Sequence, residues 1–357
     1  MNPLVVLLIL AVTGAAPPSG TPSFVRSFAQ VDSLIRPGET HFAHLWQVTF
    51  GGENAEAYWS PDGSALTMQS TRDGYACDQI LVVRAAGGKP RWQLVSTGKG
   101  RTTCSYFLGG NDEILFSSTH MASDSCPPPP DRSRGYTWAV YPTYDVFVRT
   151  LSTGKLRRLT DTPGYDAEST VSPDGNTILF TSTRDGDLDL YTMNADGSNV
   201  RRLTDELGYD GGAFYSPDGK WICFRANRPA DDTEAAEYRD LLNHHLVRPT
   251  RMDIWLMHAD GSERAPVTDL GGASFAPYFT PDSKKIIFAS NYEDPKGRDF
   301  NLYVTPFDGG IPAKITTDPT FDGFPMFSPD GRYLAFSSNR GAAKPGDTNV
   351  FIAEWKE

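Results

Sequence analysis

Apolar and polar residues alternate along this chain in short runs of about six residues, such as TILFTS (177–182), KIIFAS (285–290) and DLYTM (189–193). A period of two over so few residues predicts half-buried β-strands rather than helices. The runs are separated by a recurring turn string. SPDG stands at 60–63, 172–175, 216–219 and 328–331, and TPDS at 280–283. Pro presets φ and Gly accepts a positive φ, so each string predicts a tight hairpin. The segment SYFLGGNDEILFSS (105–118) has the same shape without the Pro-Asp, with Leu108 at the serine position. Six copies result, spaced 48, 64, 44, 64 and 48 residues apart.

Each copy follows one order. A first strand enters the Pro-Asp-Gly turn, and a second strand leaves it. A loop follows, STRDG in two copies, and then a third strand such as DIWLM (253–257). A second turn, NADGS (194–198) or HADGS (258–262), leads to a fourth strand ending in Leu/Val/Ile-Thr, as in RRLTD at 157–161 and 201–205. Four antiparallel strands per roughly 44-residue unit is the period of a β-propeller blade. The last copy ends after its third strand, at NVFIAEWKE, whereas HLWQVTF (44–50) matches a fourth strand with no first three. The two should complete one another, which closes the ring and leaves no terminal edge. The fold expected is all-β: a six-bladed propeller of four-stranded antiparallel blades, sealed by the N-terminal strand.

Composition narrows the class. The 357 residues are 39% hydrophobic and 12% aromatic, enough for a core, so general disorder is excluded. The formal net charge of −11 argues against nucleic-acid binding, which needs a basic face, and against docking on anionic lipid. Residues 4–12, LVVLLILAV, followed by Gly14, Ala15 and Ala16, read as a secretory signal peptide. The run is about half the roughly 20 residues of a membrane span. The domain expectation is a signal peptide at 1–16, an extension at 17–40 and a propeller at 41–357. An exported protein is expected, monomeric and periplasmic if the source is Gram-negative. Export permits disulfides. Cys223, within WICF, reads as a buried thiol, and two of Cys77, Cys104 and Cys126 should pair, in a combination the sequence leaves open.

The Pro-Asp repeats, the D-[IL]-[YW] third strands and the N-A-D-G-S turns resemble the TolB-like family of six-bladed propellers over about residues 41–357. The resemblance implies the fold and an envelope setting. The family's namesake carries an α/β domain ahead of its propeller. Only about 25 residues separate the signal from the closing strand here, so a stand-alone propeller is expected. Related propellers cap serine peptidases, but no G-x-S-x-G string appears.

Chemistry should sit on the face that carries the irregular loops, including insertions 119–144 and 226–252. Six residues before each SPDG serine stand Asn54, Thr102, Asp166, Asp210, Ser274 and Asp322; two residues later stand Glu56, Cys104, Glu168, Gly212, Ala276 and Phe324. First strands line a propeller's channel, so Glu56, Asp166, Glu168, Asp210 and Asp322 are expected to form an acidic rim at its mouth. Such a rim could hold Ca²⁺, which takes 6–8 oxygen ligands. After the second strands stand Arg72, His120, Arg184, Arg228, Tyr292 and Arg340; before the third stand Gln79, Asp145, Asp189, Asp253, Asn301 and Asn349. Bidentate pairing between these two sets is expected, leaving an anion site where an arginine lacks a mate. In the 226–252 insertion, Tyr238, Leu241, Leu242 and His245 predict an amphipathic helix capped by Asp231 and Glu234. Tyr136, Trp138 and Tyr141 could stack on a sugar or dock a peptide.

These features support an exported, non-catalytic binding or scaffold propeller of the cell envelope. It would take a protein segment or a glycan on the insertion-bearing face through Asp166, Glu168, Asp210, Asp322, Arg184 and Trp138. The alternative is a metal-assisted polysaccharide lyase or hydrolase, with His120, His244 and His245 beside the rim carboxylates as metal candidates.

Overall fold

The computed structural model describes residues 20–357; the expected signal peptide lies outside them. Six four-stranded antiparallel sheets follow one another in chain order. The first strands of the blades are Asn54–Trp59, Thr102–Phe107, Asp166–Val171, Tyr209–Tyr215, Ser274–Phe279 and Asp322–Phe327. Phe42–Gln47 pairs antiparallel with Asn349–Trp355 in blade six, so the N-terminal strand closes the ring as expected. Ala29–Gln30 adds a fifth strand outside it. The extension is part of the ring. Phe24 and Val25, in the helix Ser23–Arg26, are buried, and Phe24 packs edge-on against Trp59 of blade one.

Repetition in the sequence becomes repetition of contacts. In blades two to six a phenylalanine of the second strand lies directly opposite an aromatic of the third: Phe116–Phe147, Phe180–Tyr191, Phe224–Trp255, Phe288–Tyr303 and Phe336–Phe351. Their ring centroids are 5.7–6.3 Å apart. Such cross-strand pairs are the stabilising unit of a sheet. The Ser/Thr after each fourth strand holds the start of the third. Ser96, Thr160, Thr204, Thr268, Thr316 and Thr49 each accept a hydrogen bond, at 2.8–2.9 Å, from the backbone N–H of Ile80, Val146, Leu190, Ile254, Leu302 and Val350. Thr49 does this for blade six from the other end of the chain.

The expected arginine pairing is corrected. Arg184, Arg228 and Arg340 pair with the first-strand aspartates of their own blades, Asp166 (3.0 Å), Asp210 (2.7 Å) and Asp322 (3.0 Å). The third-strand acids Asp145 and Asp189 take Arg158 and Arg202 of the fourth strands instead, at 2.7 and 2.6 Å. The second strand turns back beside the first, so its trailing arginine reaches the first-strand acid of the same sheet. Arg340 has a second buried acid, Glu39 of the extension, at 2.9 Å.

Candidate functional site

Every first strand carries a β-bulge at the same place. The bulged residues are Glu56, Cys104, Glu168, Gly212, Ala276 and Phe324, with φ of 54°, 46°, 58°, 55°, 49° and 55°. Five of the six are not glycine, in a region L-residues seldom adopt and that clusters at functional sites. Bulges re-aim side chains. Here Glu56, Cys104, Glu168 and Phe324 line a cavity of about 510 Å³ at the insertion-bearing end of the channel.

The next inward-facing ring closes the channel. Tyr58, Tyr106, Phe214 and Tyr278 meet with centroids 5.3–6.2 Å apart. Below this waist a separate cavity of about 410 Å³ opens among the prolines of the Pro-Asp-Gly turns. The upper cavity is therefore a blind vestibule.

A strap from blade two roofs it. Cys77 of blade one bonds to Cys126, tying the start of the 119–144 insertion to the neighbouring blade. Trp138–Ala139 then pairs antiparallel with Leu246–Val247 from the blade-four insertion. Trp138 reaches blade five, edge-on to Phe275 at 6.2 Å, and Arg225 lies over its ring at 5.3 Å. The helix Asp232–Asn243 supports the ribbon. Asp231 caps it, accepting from the N–H groups of Thr233 and Glu234. Tyr238 and Leu241 are buried, but the helix stops before His245, which is left-handed at φ 59°. Tyr141 donates to the Pro128 carbonyl at 2.7 Å within the strap, and Tyr136 is 59% exposed.

Five charged residues line the vestibule: Glu56, Asp78, Arg101, Glu168 and Arg225. Glu168 is fully satisfied. Arg225 donates to it at 2.5 Å, Tyr209 at 2.8 Å, Tyr165 at 3.3 Å, Thr181 at 3.0 Å and the Gly212 N–H at 2.7 Å. Arg225 also donates to the Tyr209 hydroxyl. Arg101 faces Asp78 at 3.8 Å. Two vestibule atoms are buried with no hydrogen-bond partner, Glu56 Oε2 and Arg101 Nε. Burial pushes the Glu56 carboxyl up to about 7, opposed by the neighbouring Cys104 thiol and reinforced by Glu168. Burial likewise raises the Cys104 thiol, which is free.

The structure thus divides the expected site. Glu56, Glu168 and Trp138 come together in the vestibule. Asp166, Asp210 and Asp322 do not surround its mouth: they are at most 1% exposed, each against its own blade's arginine, and Arg184 is committed to Asp166. The expected rim fails because residues at that position sit at the ladder edge of the strand, before the bulge turns the chain inward. Among the described residues no three His, Cys, Asp or Glu side chains assemble as a metal site. His120 bonds Ser118 and packs on Phe147, while His244 bonds the Asp240 carbonyl; none of His120, His244 and His245 lines the vestibule. Residue-level reasoning missed Arg225, Tyr209 and Tyr165. Arg225 was visible as a lone charge inside an otherwise apolar strand, WICFRAN, where its counterparts are Thr181, Ala289 and Ser337.

The chain belongs to the TolB β-propeller domain family (PD40), whose pattern matches residues 135–232 and 243–354. A 44-residue stretch, 12% of the chain, is 43% identical to the Tol-Pal system protein TolB of Bordetella pertussis and covers 10% of that protein's length. Among solved structures, TolB from Acinetobacter baumannii superposes with a TM-score of 0.52 at 19% identity, over 86% of this chain and 65% of that one. A putative TolB from Agrobacterium tumefaciens gives 0.53 at 20% identity, over 86% and 91%. An oligogalacturonate lyase from Vibrio parahaemolyticus gives 0.52 at 12% identity, over 92% and 96%. At these identities the likeness is one of fold, and one fold hosts many activities. Among the described residues no helix is long and apolar enough to cross a membrane.

Proposed function

We propose that this protein is an exported binding propeller of the cell envelope, and that its vestibule receives part of a protein or glycan ligand under the blade-two strap. The observation that carries this reading is the closed waist beneath the roofed cavity. A channel blocked by the Tyr58–Phe214 contact does not run through the ring, which supports a receptor over a conduit. The volume of about 510 Å³ falls in the usual range for ligand sites. A rigid ring loses little ordering entropy on binding. The apolar run at residues 4–12 and membership of the TolB family support the envelope setting. Metal-assisted glycan cleavage fits less well, because its three candidate histidines stand away from the vestibule.

The test is capture from envelope extract with the mature protein as bait, beside a bait carrying Trp138→Ala and Tyr136→Ala. A ligand held by the first and lost by the second supports the reading. A ligand held equally by both places the binding surface elsewhere. Turnover of a polysaccharide that chelator abolishes would replace the reading with the enzymatic one.

A further inference from the structure

The charges of the vestibule do not balance. Its lining holds three carboxylates and two guanidinium groups. Glu168 is held by Arg225 at 2.5 Å and Asp78 faces Arg101 at 3.8 Å. Glu56 is the acid left over, and its Oε2 is buried with nothing to accept from. A buried polar atom without a partner is costly and rare in a folded protein. It lies on a bulge whose left-handed backbone, φ 54°, turns it into the cavity. An anionic group entering here would meet Arg225, already bonded to Glu168, and Arg101, which stands 3.8 Å from Asp78 with its own Nε buried and unpartnered, so the balance is decided by the excess of three carboxylates over two guanidinium groups. A positively charged group would meet the one carboxylate that lacks a cation. The aromatic wall formed by Phe275, Phe321 and Phe324 favours a cation as well, because ring faces are electron-rich.

We propose that the vestibule is a receptor for a single cationic side chain, a lysine or arginine presented by a protein segment, with Glu56 as its counter-ion. This deepens the binding reading and rests on it. It chooses the protein segment over the glycan, because neutral and acidic sugars bring no cation. The groups facing Glu56 are Cys104, Glu168, Asp78, Arg225 and Tyr58. A bound ammonium would hold Glu56 ionised, so binding below neutral pH should expel a proton from it.

The experiment uses the whole mature protein and three blocked amino-acid probes: Nα-acetyl-lysine methylamide, its norleucine counterpart and its glutamate counterpart. Binding is followed by saturation-transfer NMR and calorimetry in two buffers of different ionisation enthalpy. The lysine probe should bind at least 10-fold more tightly than the other two. Its affinity should rise from pH 5.5 to pH 8, with proton release at the acid end. Glu56→Gln should lose at least 10-fold in affinity and all of the pH dependence. Should Glu56→Gln fold poorly, the pH profile and proton release of the wild type decide alone. Equal binding of lysine and norleucine probes, or a preference for the glutamate probe, overturns the cation assignment while leaving a binding vestibule. No binding of the lysine probe also overturns it, and the capture experiment then judges the broader reading separately. Displacement of the lysine probe by butylamine identifies the ammonium as the recognised part; failure of butylamine to compete at saturating concentration overturns that assignment.

Discussion

Tyr58 of blade one and Phe214 of blade four touch across the axis of the ring, edge to face, with centroids 5.5 Å apart. These blades are opposite one another, so this contact spans the channel at its narrowest point. Both residues are nearly fully buried. Truncating a buried phenylalanine typically costs about 3–5 kcal/mol, from lost transfer energy and the cavity left behind. Phe214→Ala is therefore expected to lower stability by ~3 kcal/mol in urea denaturation. It should also join the two cavities into one channel, detectable as new binding of a slender apolar probe such as xenon. An unchanged unfolding midpoint would show that the waist is not packed.

The Glu168–Arg225 pair joins blade three to blade four at the vestibule wall. Both side chains are 10% exposed. Removing one partner of such a pair leaves an uncompensated buried charge, at a cost of about 3–5 kcal/mol. Arg225→Met alone and Glu168→Gln alone should each destabilise by ~3 kcal/mol, and the double variant by less than the sum. Additive losses in a double-mutant cycle would mean the two side chains act independently.

Ring closure depends on a strand far away in sequence. Phe42–Gln47 supplies blade six with its fourth strand, and Thr49 accepts from the Val350 N–H at 2.9 Å. Deleting residues 41–50 should abolish cooperative unfolding or lower its midpoint sharply. Thr49→Val should cost only about 1 kcal/mol, the net worth of a typical hydrogen bond. A deletion variant that melts like the wild type would refute the closure.

Much of this architecture was legible because repetition multiplies weak signals. One SPDG string predicts a turn; four of them and a TPDS at blade spacing predict a ring. The pairing of HLWQVTF with NVFIAEWKE followed from counting strands. What the pattern could not carry was local irregularity. The repeat position put Glu56 at the channel mouth, but an alternating strand places every second residue on one face, and nothing in NAEAYW announces the bulge that aims this side chain inward. The acids at 166, 210 and 322 looked like a rim for the same reason. Their true partners, the arginines trailing the second strands, depend on how the hairpin edges meet. The strap was invisible for another reason: its two-residue ribbon joins insertions more than 100 residues apart.

The strap makes its own prediction. Cys77–Cys126 closes 49 residues of sequence separation, which in the chain-entropy description corresponds to ~4 kcal/mol. Mass spectrometry of the unreduced protein should find this single disulfide, with Cys104 and Cys223 as thiols. Cys126→Ser should make residues 127–141 the first site of limited proteolysis while the blades persist. Cleavage rates equal to those of the wild type would show that the ribbon with Leu246–Val247 suffices to hold the strap.

Glu56 also sets a pH dependence of stability. Its carboxyl lies at about 7 in the folded protein, raised by burial, against an ordinary value of 4.5. Between these values the folded chain holds a proton that the unfolded chain has released. Unfolding then releases protons, so stability falls as pH rises. The contribution is fully present below about 4.5 and is lost through about pH 7. Asp210, raised by burial to about 7 despite its arginine, acts in the same direction. The turn aspartates Asp62, Asp174, Asp218 and Asp282 are held below the usual range; their chief lowering influence is hydrogen bonding to the neighbouring Ser or Thr. Their stabilisation is present above about 3.8 and is lost at lower pH. Stability should therefore peak near pH 4–5 and decline towards pH 8. Glu56→Gln removes one titrating group and should flatten part of that decline, making the variant more stable than the wild type at pH 8. Urea unfolding at pH 5 and pH 8 checks both statements. A wild type more stable at pH 8, or a Glu56→Gln profile parallel to it, would mean that Glu56 is solvated and paired in solution. An occupied vestibule should reverse the sign at this one residue, because a bound cation replaces the missing partner and favours the ionised form.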